Sequence, residues 1–132
     1  NEDDKLLTKT MINNYSKAKV ITPVKGKKYT KEQIIQMLII YQLKNNLSIQ
    51  EIKDLLTPIY ENNDDLSNLY DHFIDIKHSL NFQLQKMIQK IMDDYQLKIE
   101  NYQDLFLLVA ILSSLSHSLT NIAEMLIETK EI

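Results

Sequence analysis

The side chains best placed for chemistry lie near the start of the chain and are hydrogen-bond formers. Lys9, Thr10, Asn13, Asn14 and Lys17 fall in nine residues, and Lys9, Asn13 and Lys17 recur at i, i+4 and i+8, which on a helix forms one line. Lysine there can meet phosphate, and asparagine can pair with a base edge, adenine above all. Shortly after comes Ile21-Thr22-Pro23-Val24-Lys25-Gly26-Lys27-Lys28-Tyr29, with one of the two prolines and the only glycine. Its β-branched residues and breakers read as a short extended turn carrying Lys25, Lys27 and Lys28, with Tyr29 able to pack its ring and offer its hydroxyl.

Other reactive groups are fewer. The chain has no cysteine, which excludes disulfides, thiolate nucleophiles and cysteine-based zinc sites. Asp71, Asp75 and His78 share a helix face with His72 nearby, but no Glu-x-x-His motif of a helical di-iron site occurs, and a solvated acidic face accounts for them. Ser113, Ser116, His117 and Thr120 form a polar stripe in an apolar stretch. Close helix packing explains it, with an effector pocket around His117 as the alternative. Tyrosines 41, 60, 70, 95 and 102 read as core and interface packing. No metal or cofactor is expected, and the chain reads as a non-enzyme.

Charge is unevenly placed. Residues 5–44 hold nine lysines against one acid, a net +8, whereas residues 58–132 hold five lysines against twelve acids, a net −7. A basic segment coinciding with the polar line of the first helix is what an anionic partner requires. All 15 basic residues are lysine, which with the abundant Ile and Asn fits an AT-rich bacterial genome. No basic-then-apolar leader opens the chain, so a cytoplasmic location is expected.

One Gly and two Pro in 132 residues disfavour a sandwich or barrel, which need frequent turns, and favour long helices. A first helix is predicted from after Thr8 to about Ala18, burying Met11, Tyr15 and Ala18. Thr30 with Gln33 makes a capping box for a second, carried by Ile34, Leu38, Tyr41 and Leu43 to about Asn45. Ser48 with Glu51 opens a third, with Ile49, Ile52, Leu55 and Leu56, which Pro58 should stop. From about Asp65 a long helix follows, with Phe73, Ile76, Leu80, Leu84, Met87, Ile91 and Tyr95 in steps of 3, 4, 4, 3, 4 and 4. That eleven-residue repeat favours a nearly straight helix, with a break expected near residues 79–81. Asn101 caps a last helix to about Thr129, whose seam is Leu105, Leu108, Leu112, Leu115, Leu119, Ile122 and Leu126. So much apolar surface needs cover from the head or from a second copy, most simply in a two-fold dimer.

Residues 8 to 56 resemble the MerR-type winged-helix head. The blocks that carry the resemblance are Thr8-Lys9-Thr10-Met11-Ile12-Asn13-Asn14-Tyr15, Val20-Ile21-Thr22-Pro23, Lys27-Lys28-Tyr29-Thr30-Lys31-Glu32-Gln33-Ile34 and Leu47-Ser48-Ile49-Gln50-Glu51-Ile52-Lys53-Asp54-Leu55-Leu56. Lys19 stands where that pattern places Gly. Met11 to Tyr15, the Pro-then-Lys wing and Leu43-Lys44 to Leu56 also resemble the bacterial family known as domain of unknown function 1836, a likeness expected to span the whole chain.

The resemblance implies an all-α fold with a MerR-like winged-helix head in residues 1–57, a small wing between its helices, and a tail in residues 58–132 of two or three long antiparallel helices. A supporting helix is expected upstream of residue 1. It implies a transcriptional regulator that binds double-stranded DNA through Lys9, Thr10, Asn13, Asn14, Tyr15, Lys17, Lys25, Lys27, Lys28 and Tyr29, with an effector the sequence does not name. The rival is a helical protein-interaction module of similar shape that does not bind DNA. The line through Lys9, Asn13 and Lys17 separates them: exposed, it favours DNA; buried against the acidic tail, it favours the rival.

Overall fold

In the computed structural model, which describes residues 7–23 and 28–130, the chain is all-helical. The helices are α1 (Lys9–Lys17), α2 (Lys31–Leu43), α3 (Ile49–Glu61), α4 (Leu66–Asp94) and α5 (Tyr102–Thr129), and no strand occurs among the described residues. Residues 24–27, the middle of the expected wing, lie outside the described set.

Each helix start follows from a side chain that satisfies an otherwise orphaned N–H. The Met11 N–H donates to Thr8 Oγ1. Thr30 with Gln33, and Ser48 with Glu51, form reciprocal capping boxes, and Asn101 Oδ1 accepts from the N–H groups of Gln103 and Asp104. Helix ends are more unusual. After α1, α3 and α4 the chain turns through a left-handed residue that is not glycine: Lys19 (φ 64°), Asn63 (φ 54°) and Gln96 (φ 55°). At each, paired bonds close the end, as where Lys19 N–H donates to the Ser16 carbonyl and Val20 N–H to the Tyr15 carbonyl. This is the Schellman arrangement, normally completed by glycine.

The chain divides into two compact units, Asn1–Asp71 with Glu124–Ile132, and His72–Ala123. The first holds the core: Leu7, Tyr15, Val20, Ile21, Met37, Ile40, Ile52 and Leu56 cluster, with Ile21, Ile40 and Ile52 fully enclosed. Each such burial contributes roughly 1.5–3 kcal/mol. The second unit contains most of α4 and α5, joined by a turn in which Lys98 N–H donates to Asp104 Oδ2.

Several expectations need correction. In α2 the buried side chains are Gln33, Ile35, Gln36, Met37 and Ile40, while Ile34 and Tyr41 are exposed. This helix is apolar on every side, so periodicity could not choose its inner face. Pro58 does not stop α3, which continues to Glu61. Its missing N–H forfeits only the bond to the Asp54 carbonyl, on a side where both residues face solvent. Nor does α4 break near residues 79–81; it is one helix of 29 residues. Tyr95 and Tyr102 are exposed rather than packed.

The α5 seam is covered only in part. Leu108 is buried and Leu112 half-buried, but Leu105, Leu115, Leu119, Ile122 and Leu126 remain exposed. The apolar arc is wider than one neighbouring helix can cover. By length and composition α5 could also cross a membrane.

Lys19 tests the account of the helix ends. A side chain with a Cβ costs about 1 kcal/mol in the left-handed region, so Lys19→Gly should stabilise the protein by up to about that much, the added freedom of the unfolded chain offsetting part of it. The urea midpoint should rise; an unchanged or lower midpoint would show that the turn is not strained.

Candidate nucleic-acid interface

α1 is held by its inner side. Tyr15 is buried, and its carbonyl accepts from both Val20 N–H (2.9 Å) and Ile21 N–H (3.2 Å), so the helix end and the departing chain share one anchor. Tyr60 of α3 donates its hydroxyl to the Val20 carbonyl at 2.8 Å and fixes the same segment from another side. With that side locked, Lys9, Thr10, Asn13, Asn14 and Lys17 all lie exposed. Tyr15, expected both as core and as a DNA contact, is core: burial removes its ring from solvent and raises its hydroxyl pKa by desolvation.

Two glutamines of α2 hold the root of the expected wing. Gln33 Nε2 donates to the carbonyls of Thr22 and Pro23, each at 3.0 Å, while its Oε1 accepts from the Thr30 N–H at 2.8 Å. One side chain therefore pins both ends of the segment between Pro23 and Thr30. Gln36, fully enclosed, accepts through Oε1 from the N–H and the hydroxyl of Thr22. Its Nε2 has no acceptor among the described residues. Sequence reading saw Gln33 only as a cap and passed over Gln36; the available signal was two amides one turn apart in an otherwise apolar helix.

Of the expected wing residues, Lys28 and Tyr29 are exposed, whereas Lys25 and Lys27 lie outside the described residues. The structure thus supplies an exposed polar line on α1 and a segment clamped at both ends. No group of three or more His, Asp or Glu that could hold a metal occurs among the described residues, and the Asp71, His72, Asp75 and His78 set is a solvated face. His117 and the serines beside it are also exposed.

Residues 1–73 match the family described as a domain of unknown function, DUF1836, and the chain belongs to that family. The match ends at residue 73, short of the whole-chain likeness expected. No curated protein and no solved structure matches the chain.

Two measurements check the clamps. Gln33→Ala leaves the Thr22 and Pro23 carbonyls and the Thr30 N–H without this partner and should cost about 1–3 kcal/mol in denaturant unfolding. Tyr60 carries a pH signature. Burial first, and the charge of Glu32 second, raise its pKa above the ordinary value. A group that holds its proton more tightly when folded contributes stability that is complete below the unfolded pKa and declines as pH rises beyond it. Stability should therefore fall above about pH 10, by up to roughly 1.4 kcal/mol per pH unit. Tyr60→Phe should reduce that slope at a cost of about 1 kcal/mol at neutral pH; an identical slope in both proteins would contradict the assignment.

Proposed function

We propose that this protein is a DNA-binding transcriptional regulator, with a MerR-like winged helix-turn-helix head in residues 1–57 and a helical tail in residues 58–132. In this reading α1 enters the major groove, where Asn13 and Asn14 meet base edges and Lys9, Thr10 and Lys17 meet bases or flanking phosphates. Lys25, Lys27, Lys28 and Tyr29 hold backbone phosphate alongside. The protein works in the cytoplasm, needs no cofactor and carries out no catalysis.

The observation that carries this reading is the exposure of the whole polar line on a helix whose opposite side is locked into the core. Burial of that line would have favoured a protein-interaction module, so its exposure favours DNA. The net charge of +8 over residues 5–44 supports the same choice, because lysines near phosphate release condensed counterions. Lysine lacks the bidentate fork of arginine, so these contacts position the head more than they discriminate.

Duplex binding across salt concentrations tests the proposal. Five lysines at phosphate predict a slope of log affinity on log salt of about −4.5 per head. Lys9→Ala with Asn13→Ala should abolish preference among sequences, whereas Lys27→Ala with Lys28→Ala should weaken all duplexes alike and flatten the salt slope. No binding at low salt, or binding indifferent to salt, would sink the reading in favour of the protein-interaction module.

A further inference from the structure

Residues 105–123 of α5 contain no Asp, Glu, Lys or Arg, although Leu108 is the one buried residue of that helix. At the pitch of an α-helix, Leu107, Ile111, Leu115, Leu119 and Ile122 fall within an arc of about 120°. All five are exposed, at 47%, 47%, 40%, 66% and 40% in that order. The opposite side of the helix carries Ser113, His117 and Glu124. This apolar arc is therefore an open face, distinct from the polar side.

Its relief is uneven. Leu107 and Ile111 wall an apolar cleft of about 460 Å³, whose other lining residues are Ile91, Tyr95 and Leu97. Leu119, the most exposed of the five, stands twelve residues after Leu107. A hollow thus lies at one end of the face and a projecting side chain towards the other.

We propose that α5 packs antiparallel on α5 of a second copy of this chain, about a two-fold axis that crosses the face between Ile111 and Leu115. That operation sets Ile111 opposite the partner's Leu115 and Leu107 opposite the partner's Leu119, so each Leu119 enters the other copy's cleft. An isologous interface must be complementary to itself. Antiparallel pairing achieves this twice over, whereas parallel pairing sets Leu119 against Leu119 and leaves both clefts empty. A two-fold contact also brings a face against its own charge, and this face has none to repel.

The area matches what a stable dimer needs. With Tyr95 of the cleft, 73% exposed, the five side chains present on the order of 650 Å² per copy. Two copies together offer about 1,300 Å², within the roughly 1,200–2,000 Å² of stable interfaces. A bilayer fits less well. Seven of the nine residues 113–121 are polar, His117 and Asn121 among them, which disfavours a crossing helix; in the dimer all of these except Ser118 lie off the face. A helix lying in the plane of the membrane characteristically carries Lys or Arg on its polar side, and α5 has neither. A foreign protein would have to offer an uncharged face with the same hollow and projection, which a second copy already supplies.

Dimerisation through α5 does not depend on whether the head binds DNA. Sedimentation of the full chain should show a dimer. Leu119→Glu, at a position exposed in the single copy, should leave the helicity unchanged and weaken the dimer at least about tenfold. Ser113→Glu, on the opposite side of α5, should leave the dimer as it is. Because the chain has no cysteine, introduced ones report the geometry directly. Ile111→Cys and Leu115→Cys should cross-link when the two proteins are mixed and mildly oxidised. Leu119→Cys alone should stay unlinked, because its two copies lie about 18 Å apart along the helices. A monomer at about 100 µM, association only with vesicles of phosphatidylcholine and phosphatidylglycerol, self-linking of Leu119→Cys, or equal weakening by Leu119→Glu and Ser113→Glu would each overturn this pairing.

Discussion

The first unit depends on one interaction, the grip of Gln33 on the backbone at both ends of the segment between Pro23 and Thr30. The Thr22 and Pro23 carbonyls and the Thr30 N–H find their partner in this one helix side chain. The same requirement explains the orientation of α2. Its apolar residues would fit a core on any side, but only one rotation brings Gln33 and Gln36 to Thr22 and Pro23. The isoleucine beside Gln36 is then buried and Ile34 faces outward.

The position of α1 follows from a similar economy. A chain with a single glycine still has to reverse direction after three of its helices, and it does so through Lys19, Asn63 and Gln96 in left-handed conformations. The turn at Lys19 sends Val20 and Ile21 straight into the core, and the Tyr15 and Val20 carbonyls become the points at which α1, the following segment and α3 are tied together. The polar side of α1 is exposed because its other side carries these anchors.

The two units keep different kinds of surface open. On the first, the exposed line is polar and basic, which suits a hydrated, highly charged partner. On the second, exposed leucines, isoleucines and phenylalanines line helices with little buried between them; Leu108 is the one residue of α5 that is fully covered. An apolar surface of that extent is costly to leave in water.

Sequence alone determined the helical class, four of the helix starts and the division of charge, because these depend on local properties: capping residues sit within three positions of what they cap, and a scarcity of glycine and proline acts along the whole chain. It also determined the polar line of α1, since a spacing of four repeats within any helix. Tertiary structure decided what depends on distant partners. It chose the inner face of α2, which local pattern left open, carried α3 past Pro58 and α4 through residues 79–81, and left most of the α5 seam exposed. It placed Tyr15 in the core although its position in the sequence suited two roles. The chemistry-bearing line that opened the reading was thus legible from spacing, but its exposure was not, because exposure depends on what Tyr60, Gln33 and Gln36 do from elsewhere in the chain.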